Sequence, residues 1–157
     1  MRFYSENECE EWLTSRGRAL PVSGSGVRYE YLDRQSRIRN FARTIARIAC
    51  FGQPALLWVK ESEIWTVNWH HYYRLRQSYS DHRLLNEAPG HLFLAYQQAD
   101  LETFLELTMA NGWDAHLLTG ADYVNVFFSH DEYLEIFSED ATTLSELQTQ
   151  LEKSVTR

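Results

Sequence analysis

The stretch from Pro89 to Phe137 most constrains the fold, because strand-length apolar segments alternate there with a helix-length segment and tight-turn signals. Residues 91–96 predict a strand, and Asp100 predicts the cap of a helix whose apolar face runs from Leu101 to Met109. A second strand is predicted at 113–118. Strand, helix and strand in this order indicate a crossover between two parallel neighbouring strands.

Two shorter strands complete this stretch. Residues 123–128 and 133–137 show strand patterns, and the tight turns before them are predicted at 119–122 and 129–132. The sheet should therefore end in an antiparallel meander.

The other elements follow from caps and apolar periodicity. Ser5 and Glu8 form a capping-box pattern at the start of a helix. The further predictions are helices at 7–16, 34–49 (capped by Asp33), from Asn68 to about Gln77 and after Asp140 or Thr143, and strands at 27–32 and 55–60. Together they predict an α+β or mixed α/β fold. It would be a single-domain sandwich with a mixed sheet of about five strands, flanked by four to five helices.

Charge is divided unevenly along the chain. The net charge is −7, but residues 84–152 contain thirteen acidic residues and no Lys or Arg, whereas residues 1–83 contain thirteen basic and nine acidic residues. Two interpretations remain open, namely an acidic surface neutralised by arginines of the first half and an acidic surface that binds a partner.

Targeting and cofactor signals are weak. Cys9 and Cys50 have no CxxC spacing, and no basic and apolar leader follows Met1, so a cytoplasmic protein with reduced thiols is expected. No apolar run reaches the roughly 20 residues that a spanning helix needs, so no membrane partner is expected. The glycines at 24 and 26 lack the Lys-Ser/Thr of a phosphate loop, and no cofactor is predicted.

Polar residues near strand ends define a candidate metal or acid/base site. His91 and Asp114 begin the two predicted parallel strands, while His130 and Asp131 lie in the final turn, so all four are expected along one rim of the sheet. Histidine and carboxylate side chains are ligands for divalent metals. The alternative is that these side chains cap local backbone, as turn residues commonly do.

The same rim also predicts a protein-binding surface. The candidate contacts are Asp114, His130, Asp131, Glu132 and Glu135, with Trp113 and Tyr133 as aromatic anchors. Small, acidic and without a catalytic motif, the chain resembles a bacterial immunity protein or nuclease inhibitor in general type and composition. The resemblance implies a non-enzymatic protein that neutralises a basic partner, such as a nuclease toxin. We take this as the first functional hypothesis and the metal-dependent enzyme as the second.

A third hypothesis concerns the arginine-rich helix at 34–49. Its basic residues are Arg34, Arg37, Arg39, Arg43 and Arg47. Such a stripe, with the aromatic group near Trp69, could hold nucleic-acid phosphates and bases. Salt bridges within the molecule are the alternative, and the overall acidity of the chain favours them.

Overall fold

The strand segments assemble into one antiparallel sheet. The computed structural model describes residues 1–20, 26–31, 35–49, 52–62, 69–119 and 124–155. Its strands are β1 (Arg2–Tyr4), β2 (Gly26–Glu30), β3 (Ala55–Glu61), β4 (Gly90–Phe93), β5 (Asp114–Thr119), β6 (Val124–Ser129) and β7 (Tyr133–Ser138). Its helices are α1 (Glu6–Thr14), α2 (Gln35–Ala49), α3 (Trp69–Ser78), α4 (Gln98–Ala110) and α5 (Ala141–Val155). The sheet order is β1-β4-β3-β5-β6-β7-β2.

The α+β class is confirmed, but the predicted mixed sheet of about five strands is wrong, since the described residues form seven strands and pair antiparallel throughout. β4 and β5 run in the same direction, as a crossover through α4 requires, but β3 lies between them and pairs with both. They are therefore not neighbours. β1 was not predicted, because three residues are too few to show a strand period.

Two apolar cores lie on opposite faces of the sheet. The larger core joins one face to α2, α3, α4 and α5, with Phe41, Tyr72, Phe104 and Leu151 among its buried side chains. The smaller core joins α1 to the other face through Cys9, Trp12 and Leu13. Within the described ranges, these side chains pack with residues of β3, β4 and β5 and with Tyr4 of β1. Among the described residues, no helix covers the remainder of this second face, on β6, β7 and β2.

Local capping chemistry determines several helix boundaries. The Ser5 hydroxyl accepts the Glu8 N–H, and the Glu8 carboxylate accepts the Ser5 N–H at 2.7 Å, which confirms the predicted capping box. Asp140 accepts the N–H groups of Thr142 and Thr143 at 3.1 and 3.0 Å, so it is the cap of α5. The predicted cap at Asp100 is wrong, because α4 already begins at Gln98. The predicted caps at Asp33 and Asn68 and the turn residues 120–122 lie outside the described residues.

One close approach requires a glycine. A Cβ atom at Gly90 would overlap Cys9 Sγ, because α1 packs directly on β4 there. No helix in the described ranges combines the length and the apolar character needed to cross a membrane.

Candidate functional site

The turn between β6 and β7 is tied to the start of β5. The Asp114 carboxylate accepts the backbone N–H of His130 at 2.7 Å. His130 Nδ1 lies 3.0 and 3.1 Å from the two Asp114 carboxylate oxygens. The structure thus brings together Asp114 and His130, which the sequence separates by a full hairpin, as expected from strand direction.

A second carboxylate faces the same imidazole. His130 Nε2 lies 3.5 Å from an Asp131 carboxylate oxygen, and the Asp131 side chain is 70% exposed. The hydrogen bond to Asp114 raises the pKa of His130 above its usual value, burial opposes this, and the charges of Asp114, Asp131 and Glu61 add to the increase. When it is protonated, the imidazole carries a positive charge between two acidic groups at the sheet rim.

This pair predicts a pH-dependent contribution to stability. A histidine whose folded-state pKa is raised stabilises the fold fully below its unfolded-state pKa of 6.5, and the contribution is lost as pH rises through the folded-state value. We therefore expect Asp114→Asn to lower the melting temperature more at roughly pH 5 than at roughly pH 9. Glu146→Gln, on the exposed side of α5, is the control and should show no such difference. An equal loss at both pH values for Asp114→Asn would contradict the prediction.

His91 does not join this rim. It is fully buried on the helix-covered face, where its Nε2 lies 2.7 Å from the Tyr72 hydroxyl and its Nδ1 lies 3.3 Å from the Leu57 carbonyl oxygen. Burial, reinforced by the charge of Arg76, lowers the pKa of His91 to about 3. Because the Leu57 carbonyl oxygen can only accept, Nδ1 carries the proton of the neutral ring and donates to it. Nε2 therefore accepts from the Tyr72 hydroxyl, which itself accepts from Arg76.

The predicted four-residue metal set is therefore not assembled. His91 and Asp114 lie on strands separated by β3 and face opposite sides of the sheet. Within the described ranges, no group of three or more His, Cys, Asp or Glu side chains is arranged to hold a metal ion.

A buried polar network that sequence reasoning missed surrounds His91. The Arg76 side chain is completely buried, and it donates to Asp81 Oδ1 at 2.9 Å, to the Tyr72 hydroxyl at 2.8 Å and to the Ala88 carbonyl oxygen at 3.1 Å. Arg83 binds the second oxygen of Asp81 and also donates to the Phe3 carbonyl oxygen at 2.9 Å. The network joins α3, the 79–89 loop, β1 and β4, so its role is structural. One sequence feature could have indicated this network: Arg76 follows Tyr72 by four residues, so that an arginine lies on an apolar helix face.

The part of the second sheet face that no described helix covers carries several aromatic side chains around the buried Asn125. We call it the open face and define it by His116, Phe127, Tyr133, Glu135 and Phe137, all of which are partly exposed. The His116 and Phe127 rings are 5.0 Å apart, and the Phe127 and Tyr133 rings are 6.2 Å apart. These side chains share a face because their strands pair in register. The guanidinium of Arg28 lies 3.5 Å above the Tyr133 ring.

Of the two predicted anchors, Trp113 is a core residue. Its side chain is 2% exposed and packs against Trp69 and Tyr72, with ring separations of 5.5 and 5.1 Å. Trp113 therefore presents no surface to a partner, because it precedes β5 on the helix-covered side. Tyr133 and Glu135 are partly exposed on the open face, and Asp131 and Glu132 are exposed in the adjacent turn.

The arginine stripe of α2 contacts groups of the same chain. Arg43 lies 3.2 Å from Glu102 and Arg39 lies 4.0 Å from Glu106, both on α4. Arg47 donates to Gln150 of α5 at 3.1 Å, and Arg37 donates to the Glu30 carbonyl oxygen at 3.5 Å. Arg34 lies outside the described residues. Trp69 stacks on Tyr73 and packs against the larger core. This arrangement matches the salt-bridge alternative for Arg39 and Arg43.

Comparisons of the chain with protein-family models, with curated proteins and with solved structures found no match.

Proposed function

We propose that this chain is a non-enzymatic binding protein whose open face and adjacent turn bind a basic protein. The observation that carries the proposal is a sheet face without a covering helix in the described part, on which partly exposed aromatic rings border carboxylates. Exposed aromatic groups rimmed by polar residues are typical of protein-binding surfaces.

The charges of this surface favour a cationic partner. Asp131, Glu132 and Glu135 contribute three carboxylates, and the guanidinium of Arg28 contacts Tyr133. Two further cations, Arg18 and Lys60, lie beside His116 but are ion-paired with Glu139 and Glu6. Glu61 adds a further negative charge near His130. Negative potential over a surface accelerates encounter with a basic protein and discriminates against acidic ones.

The aromatic side chains supply the short-range part of recognition. Tyr133 lies beside the acidic turn, and Phe127 lies next to it on the neighbouring strand. Aromatic side chains at the centre of an interface contribute most to slow dissociation, while surrounding charges act mainly on the association rate. An acidic and aromatic surface of this kind suits an inhibitor that occupies the phosphate-binding cleft of a nuclease.

The experiment compares two triple variants with the same net charge. The site variant is Asp131→Lys/Glu132→Lys/Glu135→Lys, and the control is Glu11→Lys/Glu87→Lys/Glu146→Lys, which reverses exposed acids away from the open face. Binding and inhibition are measured against a panel of purified basic nucleases, with acidic proteins of similar size as negative probes. For a nuclease that binds the unmodified chain, we expect the site variant to bind about 100-fold more weakly or worse, a loss of roughly 2.7 kcal/mol.

The salt dependence provides a second readout. Binding by the unmodified chain and by the control variant should weaken as ionic strength rises, because exposed charges are screened. Equal losses for the site and control variants would mean that net charge alone attracts the partner. Unchanged binding by the site variant would remove the open face from the interaction.

A further inference from the structure

The strand β2 forms one edge of the sheet, with no neighbouring strand on its outer side within the described ranges. Tyr31 N–H donates to the Glu132 carbonyl oxygen at 3.0 Å, which marks Tyr31, and by alternation Tyr29 and Val27, as the residues whose main chain faces β7. The N–H and C=O groups of Arg28 and Glu30 therefore point away from the sheet. Among the described residues, the 3.5 Å contact from Arg37 to the Glu30 carbonyl is the hydrogen bond seen at these groups.

The opposite edge of the sheet, formed by β1, differs from β2 in length and in main-chain contacts. There β1 is only three residues long, and Arg83 donates to the Phe3 carbonyl oxygen at 2.9 Å. Proteins commonly protect edge strands by making them short or by covering them. β2 has five residues, and its two exposed charged side chains, Arg28 and Glu30, are of opposite sign.

The order of these charges selects one way in which two copies of β2 can pair. In an antiparallel pair related by a two-fold axis, each register is named by its centre, the residue at the axis that faces the same residue of the second copy. With the centre at Arg28, two arginines face each other, and with the centre at Glu30, two carboxylates face each other. A centre at Val27 sets Arg28 opposite Gly26, without a charge partner. A centre at Tyr29 sets Arg28 opposite Glu30 in both halves, and these are the residues whose main-chain groups point outward.

We propose that this chain forms a symmetric dimer in which β2 pairs antiparallel with β2 of a second copy, centred on Tyr29. Each Arg28–Glu30 pair exchanges two main-chain hydrogen bonds and adds an ion pair between exposed side chains. The sheet then continues across both copies, with Arg37 moving off the Glu30 carbonyl and the Arg28 guanidinium turning from the Tyr133 ring to Glu30 of the second copy. Because a two-fold axis perpendicular to a sheet preserves its faces, both open faces lie on the same side of the dimer.

The first test is a charge exchange. The mass of the full chain is measured by sedimentation over a range of concentrations, with the 18.5 kDa monomer as reference. We expect a concentration-dependent dimer, and Arg28→Glu and Glu30→Arg should each weaken it about tenfold or more. The double variant Arg28→Glu/Glu30→Arg restores opposite charges in the same register, so it should recover dimerisation.

The second test is a cross-link that reports the register. Residues facing each other in a non-hydrogen-bonded antiparallel pair have Cα atoms about 4.5 Å apart, within the range of a disulfide. With Cys50 replaced by Ser, oxidised Tyr29→Cys should therefore form a covalent dimer. Val27→Cys, on the same strand and face, should not, because residue 27 faces Tyr31 of the second copy in this register.

Each outcome of these tests bears on a different part of the proposal. A monomer at every concentration, or a dimer unaffected by either single charge variant, overturns the proposal. If circular dichroism shows that the double variant is folded and it does not recover dimerisation, the Arg28–Glu30 pairing is overturned. Efficient cross-linking through Val27→Cys but not Tyr29→Cys overturns the register. None of these readouts requires a partner protein, so they are independent of the proposed binding function.

Discussion

Replacement of Asp81 by Ala is expected to lower the free energy of unfolding by about 3–5 kcal/mol, because it leaves the guanidinium of Arg76 buried without its counter-charge. Arg76 is completely buried, and Asp81 is 9% exposed. Chemical denaturation monitored by tryptophan fluorescence measures the change. A loss below about 1 kcal/mol would mean that water reaches Arg76.

The matched control is an exposed ion pair of the same chemistry. Glu102→Ala removes the partner of Arg43, whose side chain is 62% exposed, and should cost at most about 1 kcal/mol.

The effect at Asp81 should also depend on pH. Burial raises the pKa of Asp81, but hydrogen bonds from Arg83 and Arg76 outweigh it and hold the pKa below 3.8. The stabilisation is thus present above pH 3.8 and lost as pH falls through the folded-state pKa, so the difference between the two proteins should shrink in acid.

Replacement of Trp113 by Ala is expected to destabilise the fold by about 3–5 kcal/mol, since it empties a large volume between Trp69 and Tyr72. Tyr96 offers the contrast, because its side chain is 81% exposed and Tyr96→Ala should change stability by about 0.5 kcal/mol or less. Thermal denaturation of both variants tests this. If Trp113→Ala were stable but bound a partner more weakly, Trp113 would instead be an aromatic anchor of the interface.

Several features were predictable because they depend on neighbouring residues alone. The capping box of Ser5 and Glu8 needs a hydroxyl and a carboxylate three residues apart, and both bonds are present. The β6–β7 turn follows from two strand-length segments separated by a few polar residues. The meeting of Asp114 with His130 also followed, since the chain must return to the start of β5 after an antiparallel pair of strands.

Other features depended on which strands lie side by side. β3 contributes seven residues between β4 and β5, although it precedes both in the chain, and this insertion made the sheet antiparallel throughout. Strand order then placed His91 over the larger core, where Tyr72 and Leu57 satisfy both its ring nitrogens. A histidine at a strand start has the same local pattern whether it faces a core or a rim.

Local sequence patterns were enough to predict the helices, most strands, the acidic second half and the proximity of Asp114 and His130. Those properties arise from backbone hydrogen bonding, apolar period and turn geometry over a few residues. The folded structure was needed to show that Trp113 is buried, that Arg76 pairs with Asp81, and that no described helix covers part of one sheet face. The physical reason is that burial is set by what packs against a side chain, and those groups come from elements far away in the chain.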